Sequence, residues 1–344
     1  TASIVLIEAS EAMSFRLIVQ AAHISARGIN AMHGDQGFVV RIVLAHTLQP
    51  QLACAAGSVV GMDTGSNATA ANAGVALVLT TMIGGSAIID DGSEVGIRGN
   101  STLVSTKVGA GVLVDCSWMT AAIVSLHAGS AIGILANSTA KRCGFCAHVN
   151  LSHASFAALT ISNQSFFGVR GNVTVAMGAN AFGACGIAVS IDATSTVSLA
   201  VDIADGSHAG FQAAHATTGS CGVLVLWSAR RSNDTRLSIS GGSALGFLNG
   251  STANDLFVRA VQLMWSLSAN GSLYIFNQSV VGVCNQVQTL TMQNLVVGID
   301  GMSASWLSVV VDDASVVGVV DGHVGHQGGS LLLLACSWCT LHSG

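Results

Sequence analysis

Residues 271–283 read GSLYIFNQSVVGV, and residues 307–319, 36 positions later, read LSVVVDDASVVGV. Each stretch ends in Ser-x-x-Gly followed by an apolar residue. This motif recurs nine times at intervals of 33 to 42 residues, with its glycines at Gly28, Gly61, Gly96, Gly133, Gly168, Gly210, Gly246, Gly282 and Gly318. Its serines are Ser25, Ser58, Ser93, Ser130, Ser165, Ser207, Ser243, Ser279 and Ser315. A period of this length indicates an array of stacked repeats.

The residues before each motif have the pattern of a β-strand with one buried face. Apolar residues occur nine and seven positions before the glycine, as at Leu273 and Ile275, or Val309 and Val311. Alternation of this kind is typical of strands. Five positions before the glycine, Asp, Asn or Gly recurs, and these residues favour sharp corners.

The pattern predicts an all-β fold, a parallel β-helix solenoid of about nine coils of roughly 36 residues. Residues 1–344 would form a single β-helical repeat domain, a segment of a longer array or filament. Two coils of 18 residues per repeat remain an alternative. The composition, with 51% hydrophobic and 8% charged residues, suits a solenoid whose coils bury one another.

Ten of the 16 Asn residues begin the motif Asn-x-Ser/Thr, the acceptor signal for N-linked glycans. They are Asn67, Asn100, Asn137, Asn150, Asn163, Asn172, Asn233, Asn249, Asn270 and Asn277. Asn100, Asn137 and Asn172 each follow a motif glycine by four residues, and we expect acceptors to lie on exposed turns. The alternative is that Asn, Ser and Thr simply populate turns. The glycan interpretation predicts an extracellular or cell-surface protein that passes through the secretory pathway.

Three cysteines occupy equivalent places in consecutive repeats. Cys143, Cys185 and Cys221 each directly precede a glycine that opens a second apolar block. With one coil per repeat they would stack about 5 Å apart, within reach of a disulfide, whereas two coils per repeat would separate them. They are therefore disulfide candidates in an oxidising compartment.

Other chemistry has little support in the sequence. The two Cys-x-x-Cys pairs, Cys143–Cys146 and Cys336–Cys339, lie in distant repeats, so we predict no metal site and no cofactor. We predict no catalytic residues. The net charge of −5, with no basic stripe, argues against nucleic acid. No apolar run approaches the roughly 18–20 residues of a membrane helix, so no membrane span is expected.

Both ends have strand-like segments at the same phase of the repeat, around Ile4–Ile7 and Leu331–Leu334. We expect one to stack on the other, so the partners would be copies of the chain end to end or adjoining repeats of a longer chain. The predicted function is that of a glycosylated extracellular building block of a filament or surface coat. The alternative is a carbohydrate-binding adhesin or a β-helical polysaccharide-active enzyme, which a groove lined by aromatic, Asp and Arg residues would favour.

In its Ser-x-x-Gly ladder, short strands and dense glycan signals, the chain resembles large β-helical surface glycoproteins of the pectin-lyase-like group. Its amino-acid composition, rich in Val, Ala, Gly and Ser, is similar to that of the dispersed gene family surface proteins of trypanosomes and related flagellates. The resemblance covers the whole chain and implies architecture and location. No lyase catalytic motif matches, so it implies no activity.

Overall fold

The computed structural model describes residues 3–105, 109–177, 187–218, 223–284, 288–320, 323–326, 330–336 and 339–343. These residues form a parallel β-solenoid whose turns each take about 36 residues, with no helix among them. The predicted all-β parallel β-helix is confirmed. Strands are numbered β1 to β32 along the chain.

One sheet, here called sheet II, takes one strand from each coil. Its ten described strands are all parallel and pair in chain order. They are β2 (Arg16–Gln20), β5 (Gln51–Ala55), β8 (Ser86–Ile89), β12 (Ile123–Leu126), β16 (Ala158–Ile161), β19 (Ala200–Ile203), β22 (Arg236–Ile239), β25 (Gly271–Ile275), β28 (Leu307–Val311) and β32 (Cys339–Ser343).

The remaining strands form sheet I, which follows the rest of each coil. They are β1 (Ser3–Ser10), β3 (His23–Arg27), β4 (Asn30–Ala45), β6 (Val59–Asp63), β7 (Asn67–Val78), β9 (Glu94–Ile97), β10 (Thr102–Ser105), β11 (Ala110–Asp115), β13 (Ala131–Leu135), β14 (Thr139–Cys143), β15 (Phe145–Asn150), β17 (Phe166–Met177), β18 (Ile187–Asp192), β20 (His208–Thr218), β21 (Val223–Ser228), β23 (Ala244–Leu248), β24 (Thr252–Met264), β26 (Val280–Cys284), β27 (Gln288–Gly301), β29 (Val316–Val320), β30 (His323–His326) and β31 (Ser330–Cys336).

Strand register decides between the two coil lengths. Gly61 of β6 lies opposite Gly96 of β9, and Gly96 lies opposite Gly133 of β13. Adjacent strands therefore come from consecutive repeats, so each repeat makes one coil of about 36 residues. One hydrophobic cluster, extending from Val19 to Val309, fills the space that the coils enclose.

The motif glycines form a row along β6, β9, β13, β17, β20, β23, β26 and β29, here called the glycine row. Their φ angles lie between +136° and +158°, a region that side-chain-bearing residues rarely adopt. From Gly61 to Gly282, a Cβ atom would overlap the carbonyl oxygen of the glycine in the next coil. Glycine is required here because the coils approach too closely for any side chain.

The motif serines form a second row, the serine row, at the corner before these strands. The hydroxyl of Ser93 accepts a hydrogen bond from the Ser58 backbone N–H at 3.1 Å, and that of Ser207 accepts one from Ser165 N–H at 3.1 Å. Ser243 and Ser315 do the same for the preceding coil. Where the chain turns, the hydroxyl thus replaces the carbonyl that a strand neighbour would provide.

The first repeat was placed in the wrong register by the sequence motif. Ser25 lies opposite Gly61, so it occupies the glycine row rather than the serine row. The serine-row position of that coil belongs to Ala22, whose N–H donates to the Ser58 hydroxyl at 3.4 Å. Gly28 lies beyond the end of β3 and has a different φ of +60°. The other eight serines follow the predicted alignment.

Candidate functional surfaces

The corners between strands adopt left-handed backbone conformations, which Asn tolerates better than most residues. Seven of the ten glycan-signal asparagines have positive φ, between +33° and +62°: Asn100, Asn137, Asn163, Asn172, Asn249, Asn270 and Asn277. The predicted Asp or Asn corner before the glycine strands is confirmed, with φ near +55° at Asp91, Asn163 and Asp205. Backbone geometry alone thus favours Asn at these places.

Seven of the ten glycan-signal asparagines are exposed to solvent, and this set differs from the previous one in containing Asn233 instead of Asn249. The exposed residues are Asn100, Asn137, Asn163, Asn172, Asn233, Asn270 and Asn277. Asn67, Asn150 and Asn249 are half-buried. The Asn150 amide donates to Asp115 Oδ1 at 3.0 Å, and its own oxygen accepts from the Ser152 N–H at 3.1 Å.

The hydroxyl residue of the glycan signal has a structural role at some sites but not at others. In Asn163-Gln-Ser165 it is a fully buried member of the serine row. Thr102, Thr139 and Thr174, which complete the signals of Asn100, Asn137 and Asn172, instead lie side by side on the outer face of β10, β14 and β17. These three signals are therefore not explained by the serine row.

Two of these asparagines are close neighbours. The Asn172 amide donates to Asn137 Oδ1 at 3.1 Å across adjacent coils. Strands lie about 4.8 Å apart, so glycans on consecutive coils would compete for the same space.

Of the disulfide candidates, only Cys143 lies within the described residues; Cys185 and Cys221 lie outside them. Cys143 is a fully buried free thiol, as is Cys146. Burial raises the pKa of the Cys143 thiol to about 12. The thiol therefore stays protonated and poorly nucleophilic at neutral pH.

The acidic groups on the outer face of the first glycine strands are held in ion pairs. The Asp63 side chain is 3% exposed and contacts Arg27 at 3.5 Å and Arg98 at 3.2 Å. Arg98 also pairs with Glu94. Both carboxylates therefore share one guanidinium. Among the described residues, no group of three or more His, Cys, Asp or Glu side chains is placed to hold a metal ion.

The tryptophans divide between the core and the surface. Trp227 and Trp265 are buried and their ring centroids lie 5.9 Å apart. Trp118 and Trp306 are 58% and 64% exposed, and Trp118 stacks on His153 with centroids 4.0 Å apart. Trp227 therefore packs in the core, whereas Trp118 lies at an exposed corner.

The outer face of sheet II carries a groove over β19, β22 and β25, here called the sheet II groove. Its lining includes Asp202, Arg236, Ser238, Ser240, Tyr274 and Phe276. Arg236 Nη2 donates to both Asp202 carboxylate oxygens, at 3.2 and 3.1 Å. Sequence reasoning missed this groove, although spacings of 34 to 38 residues between its members place them on neighbouring coils.

A second hollow adjoins the groove at the next corner. Its lining comprises Gly241, Gly242, Asn277, Gln278, Asp313 and Ala314. It forms where Gly241 and Gly242 stand in place of the Asp205-Gly206 and Asn277-Gln278 corners of the neighbouring coils. The loss of side chains at this one corner opens the surface.

Comparison of the chain with protein-family models, curated proteins and solved structures gives no significant match. Within the described part of the chain, no helix has the length and apolarity needed to cross a membrane. The features of the molecule that bear on function are therefore the corners, the end surfaces and the sheet II groove.

Proposed function

We propose that the chain is a non-catalytic building block of an extracellular, glycan-coated rod that extends by end-to-end stacking. The observation that carries this proposal is the unbroken parallel pairing of coils from β1 to β31, which leaves an apolar surface at each end. In such an array each coil is stabilised mainly by its neighbours.

The end surfaces support the stacking of one unit on another. At one end Val5 and Ile7 of β1 are half-buried, although the residues opposite them in β4, Val40 and Ile42, are completely buried. At the other end Val317 and Val319 of β29 are likewise half-buried. In the described residues, β1 pairs with β4 alone. Copies of the chain, or adjoining repeats of a longer chain, would supply the missing strand partners.

The proposed extracellular location of the protein is supported by its exposed glycan signals. Asn100, Asn137 and Asn172 lie on consecutive coils, and their signal threonines lie next to one another on the outer face. N-linked glycans on such corners would cover one edge of the rod and leave its ends free. The resemblance to β-helical surface glycoproteins is consistent with this arrangement.

For the glycans, we expect the protein secreted from eukaryotic cells to lose mass on treatment with an endoglycosidase that removes N-linked chains. Changing Thr102, Thr139 and Thr174 together to Val should lower the intact mass by one or two glycans, since crowding prevents full occupancy of neighbouring coils. Thr→Val keeps the β-branched shape and leaves the corner asparagines unchanged. An untreated mass equal to that of the bare polypeptide would contradict glycosylation.

For the assembly, we expect the secreted protein to form filaments at high concentration in negative-stain electron microscopy, with a repeat of about 48 Å from the ten strand spacings of one copy. Ile7→Lys and Val319→Lys each place a charge on one end surface and should give single rods. Ile123→Lys, at a position 50% exposed in the middle of the rod, is the matched control and should leave filaments intact. A parent protein that remains monomeric at every concentration would refute stacking.

A further inference from the structure

We propose that the sheet II groove binds a neutral carbohydrate chain. This binding is supported by the shape of the groove, the chemistry of its walls and its continuation into the adjoining hollow. It does not depend on the filament or on glycosylation.

The shape follows from strand register. Asp202, Ser238 and Tyr274 lie opposite one another on β19, β22 and β25, with the small Ser238 in the middle. Tyr274 and Asp202 are therefore separated by two strand spacings, about 10 Å. Next to this row, Ser240 lies beside Phe276. The result is a trough with a serine floor, an aromatic wall and an ion-pair wall.

The walls have the chemistry that a sugar ring needs. Tyr274 and Phe276 are half-buried, so each offers part of an apolar ring surface to a ligand. The floor hydroxyls of Ser238 and Ser240 can donate and accept hydrogen bonds. Small-molecule sites combine apolar surface with a few oriented polar groups in this way.

The charge balance selects a neutral ligand. The Arg236 guanidinium is bonded to both oxygens of Asp202, so the pair contributes no net charge to the groove. The Arg236 side chain is 49% exposed, so guanidinium N–H groups not used by Asp202 are accessible to ligand hydroxyls. A pyranose chain with equatorial hydroxyls has both the flat C–H faces and the polar rim that these walls match.

The adjoining hollow indicates a chain rather than a single sugar. Phe276 ends the groove, and Asn277 directly after it lines the hollow. The side-chain amides of Asn277 and Gln278 add polar groups beyond the aromatic wall. A ligand that leaves the groove over Phe276 would thus continue into the hollow around the corner.

Because Asn277 lines the hollow and begins a glycan signal, the sugar has one of two sources. The ligand is either a free glycan from outside or the protein's own N-linked chain attached at Asn277. The second source alone depends on the proposed glycosylation. The two share the same β-linked pyranose chemistry, so binding of free sugar to unglycosylated protein tests the site itself.

The first experiment uses unglycosylated protein from bacterial cytoplasm, with chitotetraose and cellotetraose as probes and isothermal calorimetry as the measurement. We expect at least one probe to bind. Tyr274→Ala and Ser238→Tyr should each weaken binding at least tenfold, the first by removing the wall and the second by filling the floor. Tetragalacturonate, an anionic chain, should bind more weakly than the neutral probes.

Control variants separate loss of the site from loss of the fold. Phe156→Ala removes an aromatic side chain that is 67% exposed outside the groove and should leave affinity unchanged. Ser238→Tyr introduces the residue that the next coil already holds at the same place, so its thermal midpoint should match that of the parent. Absence of binding by both neutral probes at millimolar concentration overturns the proposal. Preference for tetragalacturonate, or binding that survives both groove variants, overturns it as well.

The second experiment identifies the source with the glycosylated protein. Asn277→Asp removes the acceptor but keeps a residue that the corner accepts at Asp205 and Asp313. If the protein's own glycan fills the groove, the glycosylated parent should bind chitotetraose poorly and Asn277→Asp should restore the affinity. Equal binding by both proteins assigns the groove to a free glycan. If glycosylation itself fails, the result with unglycosylated protein still stands.

Discussion

Replacing Gly133 by Ala should destabilise the solenoid by about 4 kcal/mol or more, among the largest effects of any single substitution. The new Cβ would overlap the carbonyl oxygen of Gly168 in the next coil, and backbone rather than a movable side chain stands in its way. The coils on either side would have to separate, and with them the hydrogen bonds of β13 and β17. Thermal unfolding followed by circular dichroism measures the effect.

Gly318→Ala is the matched control because it separates the clash from the backbone strain. Gly318 has a φ of +144°, close to the +151° of Gly133, but no described atom lies within 4 Å of the added Cβ. It should therefore cost only the strain of the unusual conformation, about 1–2 kcal/mol. Equal losses in the two variants would show that the contact between glycines of adjacent coils is unimportant.

Truncating Trp265 to Ala should cost about 3–5 kcal/mol, the range for large aromatic residues in cores. The indole is completely buried and packs beside Trp227. Space for it comes from Gly271, where a Cβ would lie 2.6 Å from Trp265 Cδ1. Equilibrium unfolding in urea, followed by circular dichroism, gives the change in the free energy of unfolding.

The control for Trp265 is Trp306→Ala, which removes the same side chain from a site that is 64% exposed. It should change stability by no more than about 0.5 kcal/mol. The intrinsic fluorescence of Trp306→Ala should shift to shorter wavelength than that of the parent, because an exposed indole is lost. A large loss of stability in Trp306→Ala would mean that this surface position is packed against another part of the molecule.

The periodic motif was sufficient to predict the fold because glycine and serine have separate physical roles at fixed places in each coil. The glycine row needs a missing side chain, and the serine row needs a hydroxyl for an unpaired N–H.

The first repeat was misplaced because Ser25 and Gly28 reproduce the motif by coincidence. One signal could have revealed the error. The residue before every other motif glycine is apolar and faces inward, as at Val60 and Val95, whereas Gly28 follows Arg27.

The motif favours the 36-residue coil that the structure confirms but leaves the 18-residue alternative open, and it contains no sign of the sheet II groove. Both 18-residue and 36-residue coils have the same periodic sequence, and only the pairing of Gly61 with Gly96 distinguishes them. The groove depends on which residues of different coils lie side by side. Ser238 and Tyr274 have no special pattern within their own repeats, and their relation exists only after the strands are in register.

Coil length varies at a particular place in the cross-section. Thr139 and Thr174 are 35 residues apart and lie opposite each other, but Phe145 and Ile187, also opposite, are 42 residues apart. The additional residues of this coil therefore enter after the β14–β17 pairing and before the β15–β18 pairing. Additional residues at this position therefore leave the glycine row and the serine row aligned between coils. For protein engineering, the same position is a natural insertion point for a foreign peptide, because the strand pairings on both sides of it keep their register.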